Sequence, residues 1–188
     1  RLDSSAVREL FHENAAALEP LLEFLHSHGR WPKSADGIAP PPRIGSLTRA
    51  IRLAQVGLPP DRMEQIAAQA RGDLEVILGV LLLDGGAKLK ELDETTQRDI
   101  RAHYRTFGAA METAEQLLFS LGRKEVLRES SRSARVGKAM PTAHYVHESA
   151  LGQLPPSLRL YELCARRFLG GNEEANVVKL RLDTPSVT

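Results

Sequence analysis

Between Val136 and Gly170 the chain reads VGKAMPTAHYVHESALGQLPPSLRLYELCARRFLG, where Gly, Pro, Tyr, His and Lys crowd together ahead of an apolar helix. Lys138, His144, Tyr145 and His147 could present charge and hydrogen-bond donors from this stretch. Gly137 frees the backbone and Pro141 stiffens it, so the donors would sit on a loop with little entropy to lose on binding. That is the chemistry of phosphate recognition: a cation, backbone amides and a rigid frame. The same residues also suit a purely structural loop that packs Tyr145 and Val146 against the helix begun by Pro155. The residues suit both readings.

Other groups offer less. His144, His147 and Glu148 have the spacing of ligands on one helical turn, but Pro141 argues against a helix and a metal site needs further ligands. Hydrogen-bonded structural histidines are the plainer reading. Cys164 falls on an apolar helix face, as a small buried hydrophobe does, and not as a nucleophile. From Arg123 to Lys138 six basic side chains (Arg123, Lys124, Arg128, Arg132, Arg135 and Lys138) face only Glu125 and Glu129, which makes this the most positive segment. It is either a solvated polar helix or a phosphate-contacting one. Arg43, Arg49 and Arg52 pose the same alternative. Trp31 reads as a core anchor of its loop, with base stacking as the sharper reading. No Gly-rich phosphate loop, dinucleotide fingerprint, HExxH, GxSxG or CxxC occurs, so no catalytic motif is found and no cofactor or metal is expected in these residues.

The elements that would position these groups are mostly helical. Asp3 to Ser5 can cap a first helix reaching Leu18, and Pro20 suits the start of a second that Gly29 ends. Residues 29–42 are too rich in Pro and Gly for regular structure. Ser46 caps a third helix. Pro59 to Asp61 open a long one whose second half, Leu74 to Leu83, is apolar nearly all round and should lie in the middle of a domain. Asp84-Gly85-Gly86 is the candidate boundary, giving lobes 1–84 and 87–188. The first 86 residues hold 9 basic and 11 acidic side chains and the remainder 16 and 13, so nucleic-acid affinity belongs more to the second lobe. There Asp93 caps a helix, Gly108 punctuates, and a strong amphipathic helix runs to Gly122. ANVVKLRL (Ala175 to Leu182) alternates like a strand. Its partner is either His144 to Val146 or a segment beyond Thr188, and the latter is the favoured expectation.

With 188 residues, 42% apolar, 26% charged and a net charge of +1, the composition is that of a soluble globular protein and not of a histone-like one. One cysteine excludes an internal disulfide framework and suits a reducing cytosol. The opening RLDSSAVREL is not that of a signal peptide, and apolar runs such as Val80 to Leu83 are far shorter than a membrane span. Arg1 in place of Met reads as a processed end, an excised piece or a disordered start. A cytoplasmic protein without membrane contact is expected.

The stretch Val136 to Gly170, followed by ANVVKLRLD (Ala175 to Asp183), resembles the bacterial family of DNA phosphorothioation-associated methyltransferases. QRDIRAHY (Gln97 to Tyr104) and LLFSLG (Leu117 to Gly122) look similar too, and HGRWP (His28 to Pro32), GSLTRA (Gly45 to Ala50) and ARGDL (Ala70 to Leu74) fit more loosely. The resemblance implies a place in bacterial DNA sulfur modification, restriction-modification and defence. It also implies a methyltransferase-like, doubly wound domain ahead of the helical region, using S-adenosylmethionine. No motif of that domain occurs in these residues, so no catalytic or methyl-donor residue is carried over.

The expectation is therefore a mainly α chain: a multi-helix bundle in two lobes with a small C-terminal β element. Its function would be non-catalytic DNA contact, with Arg128, Arg132, Arg135 and Lys138 on backbone phosphates and His144, Tyr145 and His147 near sugar or base. A bolder form has the loop sense sulfur in modified DNA through Pro141, Ala143 and Tyr145 beside a cation. The alternative is a scaffold that joins a catalytic domain to other defence proteins.

Overall fold

A computed structural model describes residues 4–169, 176–183 and 186–187, with side chains for 9–168 and 176–183. The fold is mainly helical, with a small antiparallel sheet towards the C-terminus. The chain divides into two compact units, each described separately below.

The first unit takes the described residues up to Arg71 together with Asp93–His103. It contains α1 (Ser4–Glu13), α2 (Ala15–His28), a 3-10 turn at Ser34–Asp36, α3 (Leu47–Val56), the first half of α4 (Pro60–Leu83), and α5 (Glu94–His103). Leu18, Leu21, Ile44, Ala50, Leu53 and Ala54 form its core, and Trp31 packs on it as a partly buried anchor. Pro20 lies inside α2 and does not begin it. Leu18, Leu21 and Leu25 make one buried stripe, and burying it outweighs the backbone bond that Pro20 cannot donate. Ser46 caps α3, its Oγ accepting from the Arg49 amide at 3.3 Å. Asp93 caps α5, its carboxylate accepting from the Thr96 amide at 2.9 Å. The cap proposed at Asp3 lies outside the described residues.

Within HGRWP, Gly29 closes α2 in the left-handed region (φ 62°), where an added Cβ would stand 2.7 Å from the Ala70 Cβ. Arg30 then donates to two carboxylates: Nε to Asp99 at 2.7 Å, Nη1 and Nη2 to Asp36 at 2.8 and 3.0 Å. Asp36, fully buried at its side chain, also accepts from Arg98 Nε and the Lys33 amide. The Arg30 guanidinium holds the Asp36 carboxyl well below the usual carboxylate range. HGRWP is thus a staple between loop and helix, and Arg30 is spent on carboxylates.

The second unit takes Gly72–Leu92 and the described residues from Tyr104 on. Asp84-Gly85-Gly86 lies inside it as the turn after α4, so compactness does not follow that break. A 3-10 turn at Leu89–Glu91 is followed, beyond α5, by α6 (Phe107–Ser120), α7 (Lys124–Ser133), β1 (Lys138–Ala139) and β2 (Ala143–His147). A 3-10 turn at Glu148–Gln153, α8 (Pro156–Leu169), β3 (Val177–Arg181) and β4 (Ser186–Val187) complete it. Thr106, not Gly108, sets the start of α6: its Oγ1 accepts from the Ala109 amide at 3.1 Å, which leaves Gly108 in the first turn. Val76 of α4, Leu127 of α7, Leu158 and Leu160 of α8, and Val146 and Leu180 of the sheet meet in one core. Gly72 and Gly79 lack the Cβ that would crowd Pro156 and Leu160 (2.7 Å each), so α8 approaches the α4 backbone closely. Ile77 is nevertheless half exposed, so this half of α4 is not buried all round.

The four strands lie in the order β1-β2-β3-β4, all antiparallel. The strand read in ANVVKLRL is β3, and it pairs with β2 from Ala143↔Arg181 to His147↔Val177. Its partners are therefore the His144 to Val146 segment on one edge and Ser186–Val187 on the other.

Candidate nucleic-acid interface

Side chains alternate along a strand and directly paired residues share a face, so the register decides which of the candidate groups meet. Lys138 pairs with Tyr145 and Tyr145 with Lys179, which sets the three in one row across β1, β2 and β3. Arg181 lies opposite Ala143, and His147 opposite Val177, on that same face. Lys138, Tyr145, His147 and Arg181 are exposed, and Lys179 is partly so. The Lys179 ammonium stands 5.6 Å from the centroid of the Tyr145 ring, within cation–π reach. None of the residues in the four strands is Asp or Glu. The result is an aromatic and cationic face to which the strands themselves contribute no carboxylate.

His147 is exposed, and its Nδ1 caps the following turn. It accepts from the Ser149 amide at 3.2 Å and lies 2.8 Å from the Ser149 Oγ. An amide can only donate, so Nδ1 is the acceptor and the neutral ring carries its proton on Nε2. That N–H is the ring's donor for a ligand on this face.

His144 has the other parity and points into the core, 1% exposed. Its Nε2 donates to the Val136 carbonyl at 3.0 Å, so its Nδ1 must accept from the Ser131 hydroxyl at 2.9 Å. Burial pushes its pKa down, against the pull of the Val136 bond. This histidine is structural and takes no place near sugar or base. Three residues apart on a strand means opposite faces, so His144 and His147 cannot converge as they would on a helix. Among the described residues no group of three His, Cys, Asp or Glu is placed to hold a metal.

The arginines of α7 lie elsewhere. Arg128 and Arg132 line a cavity with Met140 and Pro141, on the side of the hairpin that faces α7. Arg132 is paired with Glu129 at 2.9 Å, both exposed, a contact worth roughly 0–1 kcal/mol. Arg135 is exposed in the segment between α7 and β1. Of the seven expected residues, then, Lys138, Tyr145 and His147 share a face, Arg128 and Arg132 share a cavity, Arg135 is exposed outside the elements of both groups, and His144 is buried. Pro141 belongs to the cavity, and Ala143 shares the parity of Tyr145 but is buried, so of the three residues proposed to meet sulfur only Tyr145 is exposed on the face.

Lys179 and Arg181 join this face from outside the residues that the sequence singles out. The alternation of VVKLR carried the signal, since period two puts both cations on one side, but their row with Tyr145 needs the pairing with β2. Cys164 is half-buried against the core of its unit, and burial pushes its thiol up, as for a packing residue. Among the described residues no helix is long and apolar enough to cross a membrane. Compared with models of known families, with curated proteins and with solved structures, the chain matches none.

Proposed function

We propose that this chain is a non-catalytic DNA-contacting region of a bacterial DNA phosphorothioation-associated, methyltransferase-like protein, working in the cytoplasm, and that the open face of the sheet is its contact surface. The observation that carries the reading is the row Lys138–Tyr145–Lys179 with Arg181 beside it, on strands without a carboxylate. Cations on such a face track phosphates, and an exposed tyrosine ring offers an unpaired base a surface to stack on. A duplex hides its base faces, so the arrangement favours a single strand or an opened site. The link to sulfur-modified DNA comes from the sequence resemblance. The patch that would meet a poorly hydrated sulfur is the Tyr145 ring beside Lys179.

Fluorescence anisotropy with a labelled oligonucleotide tests this directly. Tyr145→Ala should weaken single-strand binding by about 1–3 kcal/mol, the usual worth of one stacked base. Lys179→Gln should weaken it further and flatten its salt dependence. Unchanged affinity in both variants would remove the face from the account. Equal affinity for phosphorothioate and plain strands would remove the sulfur-sensing form alone.

A second reading, a scaffold for other defence proteins, draws on Phe119 and Phe168, which are 73% and 76% exposed. It predicts no salt-sensitive DNA binding at all.

A further inference from the structure

The β1–β2 hairpin has a second side. Lys138 faces the Tyr145 row, whereas Ala139 pairs with buried His144 and points the other way, towards α7. There Arg128 and Arg132 of α7, Ala139 to Pro141 of the hairpin, and Leu182 line a half-open cavity of about 240 Å³.

Three features bear on what this cavity takes. Arg128 Nε is buried, and among the described residues nothing accepts its hydrogen. A guanidinium keeps its charge at any working pH and cannot accept, so the only complement is an acceptor, best an anionic oxygen. Arg132 follows one helical turn later, and its recorded ion pair with Glu129 is solvent-exposed, hence easily exchanged for another anion. No carboxylate lines the cavity, while Met140, Pro141 and Leu182 wall it with apolar surface. Such walls lower the local polarity and so favour a charge-assisted hydrogen bond made beside them. The volume falls under the roughly 300–1,000 Å³ of pockets that enclose drug-sized ligands. It suits a single compact group.

We infer that this cavity binds one phosphate monoester group between the guanidinium groups of Arg128 and Arg132. A monoester has a free end that can enter a half-open recess, whereas a backbone diester must leave on both sides. The group could belong to a small phosphorylated molecule or to the phosphorylated end of a nucleic-acid strand. The inference stands on the cavity alone and shares no side chain with the sheet face, so either can fail without the other.

The test is a titration of inorganic phosphate with the full chain at fixed ionic strength, read by the phosphorus NMR line. Saturable broadening is expected with the wild type and with Arg62→Gln, an exposed site in the other unit. Arg128→Gln should weaken binding about tenfold or more. Ala139→Glu does not touch the guanidinium; it sets a carboxylate in the cavity wall from an exposed position and should abolish binding even if Arg128→Gln fails to fold. Absence of a saturable change in the wild type, or undiminished binding by a folded Ala139→Glu, overturns the inference. Two oligonucleotides differing only in a 5′-phosphate then separate the sources. Tighter binding of the phosphorylated strand, lost in Ala139→Glu but kept in Tyr145→Ala, assigns the site to strand ends. Equal binding of both strands, with phosphate still bound, assigns it to a small molecule.

Discussion

Gly137 carries a φ of 83°, and a Cβ there would overlap the His144 ring and the Tyr145 carbonyl. The residue therefore answers to two constraints, a left-handed backbone and the closeness of β2. Gly137→Ala should cost about 2 kcal/mol or more in urea unfolding, since strain and overlap add. His144, beneath it, sets a pH limit. Its folded pKa lies below its unfolded value near 6.5, so its neutral form contributes fully above that pH. As pH falls below about 6.5 the unfolded chain takes up the proton first, and stability drops until the folded pKa is passed. His144→Gln should flatten that limb of a pH–stability profile relative to wild type. An identical limb in both would mean that another histidine governs it.

Among elements, the loop after α2 is tied to α5 by charge. Arg30 is 8% exposed and chelates Asp36 with one edge of its guanidinium and Asp99 with another. Without Asp36 the guanidinium keeps Asp99 but loses two of its hydrogen bonds, so Asp36→Ala should lower stability by about 1–3 kcal/mol, measurable by chemical denaturation. The sign with pH is opposite in origin to that of His144 but runs the same way. A carboxylate with a depressed pKa contributes above its unfolded value, near 3.8, and the contribution is lost as pH falls through the folded value. The sheet depends on elements too. β1 and β4 are two residues each, so the face is framed by β2 and β3, and α7 with α8 supports it from behind through Leu127, Leu158 and Leu180.

For the molecule as a whole, a net charge of +1 says little about polyanion affinity, because binding follows local arrangement. Three cations surround Tyr145, namely Lys138, Lys179 and Arg181. If each meets one phosphate of a single strand, log affinity should fall against log salt with a slope of about −2. Lys138→Gln should bring that slope nearer to −1.4, one contact fewer on the same scale. A slope near zero would favour the scaffold reading.

The amino-acid sequence by itself determined the helical character, the caps at Ser46 and Asp93, the turn chemistry at Gly29 and the alternating strand at Val177–Arg181. Each of these rests on neighbours in the chain, whose local hydrogen bonds and periodicity need no distant partner. It also marked Val136 to Gly170 as the stretch where polar groups gather. Tertiary structure alone decided how those groups divide. One residue of register sends a side chain to the other face, so pairing β2 with β3 buried His144 and brought Lys179 to Tyr145. The partners of Arg30 are not visible in HGRWP, because its carboxylates lie at Asp36 and at Asp99, the latter 69 residues on. The cavity beside Arg128 was equally illegible, since its walls come from α7, the hairpin and Leu182, which only the packed core brings together.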